Sequence, residues 1–202
     1  MREFFQTEIQ SLAMIREFPW DDQRAYADFL AQTYYYVCHT TRLLAVCASR
    51  IGVDREKLHH RFLKHAAEER SHHLLAQRDI QALGTTLSAF PERAITSALY
   101  EAQYFRAEHG SPTTIFGYIL ALEGLAVVYG PDVYRAVSRH HGDTPTSFVK
   151  LHANEDPHHL ESAFAILETL GAEEVSLIRG NFKFTRDLYR ALLQEIQAGA
   201  SS

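Results

Sequence analysis

Apolar residues in this chain recur at spacings of three and four, and no run of useful length alternates with period two. Phe148 and Leu151, and again Phe164 and Leu167, for example, keep helical spacing on both sides of Pro157. Glycine, proline and acidic caps divide the pattern into seven predicted helices. The first spans Arg2 to Arg16 and ends at the Phe18-Pro19-Trp20 corner. Asp21 and Asp22 cap a second that reaches Ile51 before Gly52. Asp54 opens a third that runs to Leu83, with Gly84 as its stop, and a fourth covers Glu92 to His109 before Gly110. Ser111-Pro112 starts a fifth, bent at Gly130-Pro131 and ending near His141 and Gly142. The sixth begins at Thr144-Pro145, bends at Pro157 and ends at Leu170; the seventh runs from Glu173 to Ile196, with AGASS as a frayed tail. The expected architecture is an all-α, seven-helix bundle, one domain over residues 1–202.

Composition narrows the function classes. A 202-residue chain that is 46% hydrophobic and 22% charged can bury one sizeable core. A net charge of −5 with no basic run argues against nucleic acid. No window is expected to approach the ~20 apolar residues of a membrane span. Cys38 and Cys47, the two cysteines, lie too far apart along a helical stretch to bridge each other, so a reducing compartment, the cytoplasm, is expected. Histidine is the outlier at 12 residues, and several occur as doublets.

Two segments carry the same pattern, His-x3-[Glu/Asp]-x2-His: HAAEERSH at His65–His72 and HANEDPHH at His152–His159. Offsets of 0, 4 and 7 fall within about 60° of one helix face. Each segment therefore offers two imidazoles and a carboxylate side by side, a donor set that suits Fe, Mn or Zn. Glu123 sits within FGYILALEGLAVVYG, apolar on both sides, where a lone carboxylate is expensive unless a cation or a hydrogen-bonding partner accompanies it. Taken by themselves, the first segment also reads as a solvated helix face and Glu123 as a carboxylate paired with an Arg or a Tyr hydroxyl.

Taken together, Glu69, His72, Glu123, His152, Asp156 and His159 resemble, in order and spacing, the haem-oxygenase-like di-iron oxidases and oxygenases. That family shares a seven-helix fold with TenA-like and PqqC-like proteins. HAAEERSHHLLAQRDIQALG adds to the resemblance, with Asp79 seven residues after His72 and a Leu-Gly stop. The resemblance implies that these six residues hold two iron ions, the second labile, with His65 as an additional candidate ligand. It also implies an iron-dependent oxidoreductase that uses O2 on a small amino-acid-like or fatty-acid-like substrate. His39 and Arg42 are candidates to anchor a substrate carboxylate, and a homodimer is a candidate assembly. Two alternatives stay open: a TenA-like or PqqC-like enzyme without di-iron chemistry, and a non-catalytic metal- or partner-binding protein. A haem-degrading enzyme would want a Gly-rich distal helix; Gly117, Gly124 and Gly130 are present, but so is Glu123.

Overall fold

A computed structural model describes residues 1–200, with the side chain of residue 155 left out. Among the described residues there is no strand, and nine α-helical segments form the chain. They are α1 (Arg2–Gln10), α2 (Gln23–Val37), α3 (Thr40–Ser49), α4 (Glu56–Glu68), α5 (His72–Ala82), α6 (Ala94–His109), α7 (Ile115–His141), α8 (Ser147–Leu167) and α9 (Ala172–Ala200). The predicted seven become nine because the second and third are each broken once. α2 and α3 are separated at Cys38–His39, where the His39 N–H donates to Tyr36 O (3.2 Å), one residue short of the α-helical reach. His39 at that break stacks on Tyr100 of α6 with ring centroids 3.8 Å apart, a tertiary contact that periodicity does not reveal. α4 and α5 are separated by Ser71, whose φ of 74° places it in the left-handed region.

Other boundaries follow local chemistry. The Asp22 side chain accepts from the Ala25 N–H (2.8 Å), capping α2. Gly84 and Gly142, with φ of 77° and 80°, end α5 and α7 as glycine does without steric cost. The first helix is shorter than expected: α1 stops at Gln10, and a 3-10 turn over Ala13–Glu17 continues it. That turn is pinned by the Trp20 indole, which donates to Ile15 O at 2.7 Å. The expected frayed end is partly wrong, since α9 continues to Ala200; Ser201 and Ser202 lie outside the described residues.

α7 is the central rod, packed on α8, α9 and α1, while α2 pairs with α5 and α3 with α4. Its glycines are explained by close approach. A Cβ on Gly117 would meet Ile178 O of α9 at 2.4 Å, and one on Gly124 would meet the Phe5 ring at 2.4 Å. One on Gly130 would meet the Ala153 Cβ of α8 at 3.1 Å. The membrane expectation needs correcting in one respect. Pro112–His141 is long and apolar enough to cross a bilayer by length and composition, yet 72% of its apolar window is buried inside the bundle. A helix surrounded by others is apolar on every side for that reason.

Candidate metal centre

The site is assembled at the middle of the bundle from α4, α5, α7 and α8. His65 and Glu69 are four residues apart and share a face at the C-terminal end of α4. The left-handed Ser71 then redirects the chain so that His72 opens α5. Glu123 projects from the middle of α7. α8 runs unbroken through Pro157 and carries His152, Asp156 and His159.

Two groups of ligand atoms result, each close enough to hold one ion. His65, Glu69, Glu123 and His159 form one; Glu69, His72 and His152 form the other. Glu69 belongs to both. Its Oε1 lies 3.6 Å from His65 Nε2 and its Oε2 lies 3.2 Å from His72 Nδ1. Glu123 Oε1 is 2.9 Å from His65 Nε2 and 3.6 Å from His159 Nδ1. His65, held in reserve by the sequence reading, thus stands in the four-residue group, whereas Asp156 is in neither. Asp156 instead pairs with His152 Nδ1 at 3.0 Å, leaving His152 Nε2 buried and without a hydrogen-bond partner. A carboxylate that fixes the far nitrogen of an imidazole is how proteins orient a metal-binding histidine.

Polar groups this deep normally find partners. Here His65 Nδ1 and Nε2, His72 Nδ1, Glu123 Oε2, His152 Nε2 and His159 Nδ1 are buried without a hydrogen bond, their short contacts being poorly aligned for one. Leaving several ionisable groups dehydrated costs several kcal/mol per ion unless opposite charge compensates. A cation at each group supplies that compensation, and carboxylate with imidazole is the donor chemistry of Fe, Mn or Zn. The residues fit such an ion.

The electrostatics are consistent with it. Burial drives the Glu69 carboxyl upward, but His65 and His72 outweigh it and hold it well below the carboxylate range. Glu123 is likewise lowered against burial by His159 and His65. Burial opposes charge on His65, yet Glu123 and Glu69 carry it up to about 9. Burial pushes Asp156 up to about 6 against the pull of His152. In the absence of a metal, protons on the imidazoles take its electrostatic place.

A cavity of about 120 Å³ opens from this centre toward the N-terminal turn. His65, Glu69, Glu123, His152 and Asp156 stand at one end, and Ile15, Trp20 and Phe29 are among the residues lining the rest. Its lining is mostly apolar, with one exposed need: the Tyr118 hydroxyl is buried in its wall without a partner. The sequence reading missed Tyr118; its signal was a single tyrosine five residues before Glu123, one and a half helical turns away. Of the residues nominated for substrate, His39 and Arg42 do not line the cavity. His39 stacks on Tyr100 and bonds the Tyr104 hydroxyl (3.1 Å), and Arg42 donates to Cys38 O (2.6 Å). Among the three adjacent tyrosines, Tyr36 lines it and Tyr34 and Tyr35 do not.

A comparison with curated protein sequences returned no match. Among solved structures, a domain of unknown function with a heme oxygenase-like fold from Shewanella denitrificans OS217 superposes with a TM-score of 0.85 at 20% identity, covering 97% of this chain and 91% of that one. A TenA homologue from Pseudomonas syringae pv. tomato DC3000 gives 0.76 at 16% identity over 95% and 91%. The TenA homologue from P. horikoshii OT3 gives 0.63 at 17% identity over 98% and 96%. At these identities the likeness concerns the fold, which is heme oxygenase-like. The profile of one sequence family, described as iron-containing redox enzyme, matches residues 27–186, a span that includes every residue of both ligand groups. The chain therefore belongs to the iron-containing redox enzyme family.

Proposed function

We propose that this protein is a non-haem di-iron, O2-dependent oxidoreductase acting on a small substrate with an apolar body. The observation that carries the reading is the pair of buried ligand groups sharing Glu69 at the end of an apolar cavity. His65, Glu69, Glu123 and His159 would hold one iron; Glu69, His72 and His152 would hold the other, with Asp156 aligning His152. Iron held by imidazole and carboxylate supplies the electrons and open positions that O2 chemistry needs.

The chain's own residues do the rest. Ile15, Trp20, Phe29 and Ile119 form a dry wall around the substrate body, which strengthens every polar interaction at the reacting end and keeps water from it. The Tyr118 hydroxyl, unpaired and held neutral because burial raises it well above its ordinary value, donates a hydrogen bond to the substrate's polar end. Asp156 and His152 share a proton and keep the imidazole oriented. A TenA-like enzyme without iron is the competing reading, and it would leave the buried carboxylate–imidazole set without a role.

Anaerobic titration of the metal-free chain with Fe(II), followed by O2 exposure in an oxygen electrode, tests the proposal. Uptake of about two irons per chain and iron-dependent O2 consumption are expected. Glu123→Ala, confirmed folded by circular dichroism, should retain less than about a tenth of the iron affinity because it removes a charged ligand and strands His65. Iron content unchanged in that variant would overturn the site assignment.

A further inference from the structure

Besides the apolar cavity, a polar cleft of about 510 Å³ borders the metal centre, with His72 and His159 in its wall. Arg61, Lys64, Glu68, His158 and Ser162 line that cleft. Its acidic group is already compensated, since Glu68 lies 3.5 Å from Lys64 Nζ and 3.6 Å from His159 Nε2. Arg61 is different. Its Nε donates to Ser162 Oγ at 2.8 Å, which fixes the guanidinium plane, while Nη1 is buried without a hydrogen-bond partner. Among the described residues, no carboxylate forms an ion pair with it. Burial lowers Arg61 from the usual guanidinium value against the pull of Glu123 and Glu68, the mark of a cation short of solvation.

We propose that Arg61 is the anchor of an anion subsite that takes the carboxylate of a small molecule approaching the metal centre from its polar side. A fixed, planar guanidinium with unused N–H donors matches the two oxygens of a carboxylate better than any point charge does. One unpaired cation suits a monoanion; a phosphate dianion would need a second, and Lys64 is committed to Glu68. The subsite rests on Arg61 and its neighbours alone; only its nearness to a reacting ion rests on the metal reading. The carboxylate belongs either to the substrate, whose tail then occupies the apolar cavity, or to a separate co-reactant.

The test uses full-length chain labelled with 15N-arginine, both metal-free and loaded with diamagnetic Zn(II), titrated with sodium propionate. The Arg61 Nε–H resonance, assigned by its loss in Arg61→Gln, should shift saturably in both forms. Arg61→Gln should weaken propionate binding by about tenfold or more, and Arg61→Lys should restore part of it. No saturable shift of that resonance, or equal affinity in Arg61→Gln, overturns the proposal. Should Arg61→Gln fail to fold, Ser162→Ala keeps the charge but frees the fork; it should weaken propionate several-fold, and unchanged affinity there also overturns it. Octanoate identifies the source. Competition with propionate that is relieved by filling the cavity with Ala126→Phe supports a carboxylate belonging to the substrate; independent binding supports a separate co-reactant. Because the metal-free form is titrated separately, loss of the subsite and failure of the metal centre give different results.

Discussion

The two histidine segments face each other in opposite directions. His65 of the first lies against His159, the last of the second (ring centroids 4.8 Å), and His72 lies against His152 (5.1 Å). Their central carboxylates, Glu69 and Asp156, differ by one methylene. Glu69 is long enough to reach His65 and His72 with its two oxygens and so joins both ligand groups. Asp156 reaches His152 at 3.0 Å and His159 only at 3.9 Å, and it stands in neither ligand group. Similar spelling thus yields unlike contacts, because side-chain length helps decide which atoms a buried carboxylate can touch.

The backbones differ too. The first segment ends one helix, passes through left-handed Ser71 and begins another; the second stays helical across Pro157. Proline in a helix interior loses a hydrogen bond and crowds the preceding turn. α8 tolerates this because its packing on α7 holds it in place, with Gly130 and Ala153 in close approach. Ser71 has no such breaker chemistry, and an L-residue in the left-handed region costs on the order of 1–2 kcal/mol. The turn it makes is what lets His65 face one ligand group while His72 faces the other.

Replacement of the central carboxylates gives the largest expected effects. Glu69→Ala should remove iron from both groups, whereas His72→Ala should lose only the ion it shares with His152 and leave about half the iron by inductively coupled plasma analysis. Equal iron loss in the two variants would refute the bridging role. Asp156→Asn, which retains shape but not charge, should weaken metal affinity by about 10–100-fold without abolishing binding, the usual consequence of changing a group behind a ligand. A loss as complete as that of Glu69→Ala would make Asp156 a direct ligand and the two carboxylates equivalent.

The third effect is one of pH. His65 is raised to about 9 in the folded metal-free chain, against ~6.5 unfolded. Its charged form therefore contributes stability in full below pH ~6.5 and loses it as pH rises through about 9. Glu69 and Glu123, both lowered, contribute stability that disappears only on the acid side, below the unfolded carboxylate value of ~4.3. The metal-free melting temperature should thus fall between pH 6.5 and 9, and iron or zinc, which displaces the His65 proton, should remove that decline. A parallel decline in both forms would rule His65 out of the site. The smallest effect is conformational: Ser71→Gly should stabilise the chain by about 1 kcal/mol in urea titration, since glycine adopts φ of 74° without penalty. Destabilisation would mean that the Ser71 side chain holds the turn by contact.

Much of the fold was legible from local chemistry. Asp22, Gly84 and Gly142 mark helix ends that the structure retains, and the helical spacing of Phe148 with Leu151 and of Phe164 with Leu167, on either side of Pro157, matches the unbroken α8. The breaks at His39 and Ser71 were not legible, because neither position carries a residue that stops helices by itself. Among the residues around the cavity, Tyr118 was hidden in an apolar helix; His39 looked available only because α6, which packs on it, lies more than fifty residues away in sequence, and Arg42 is instead turned back onto Cys38 O.

By itself the sequence determined that the chain is helical, and that it carries two His–carboxylate–His faces and one carboxylate in an apolar helix, since capping, periodicity and the cost of burial act over a few residues. Only the tertiary structure decided that the two faces run in opposite directions, that His65 belongs to the larger ligand group and that Asp156 stands behind His152. Those outcomes depend on which helices meet and on distances of a few ångströms between side chains some ninety residues apart. The paired pattern named the atoms available to a metal; the packing of α4, α5, α7 and α8 decided which of them converge.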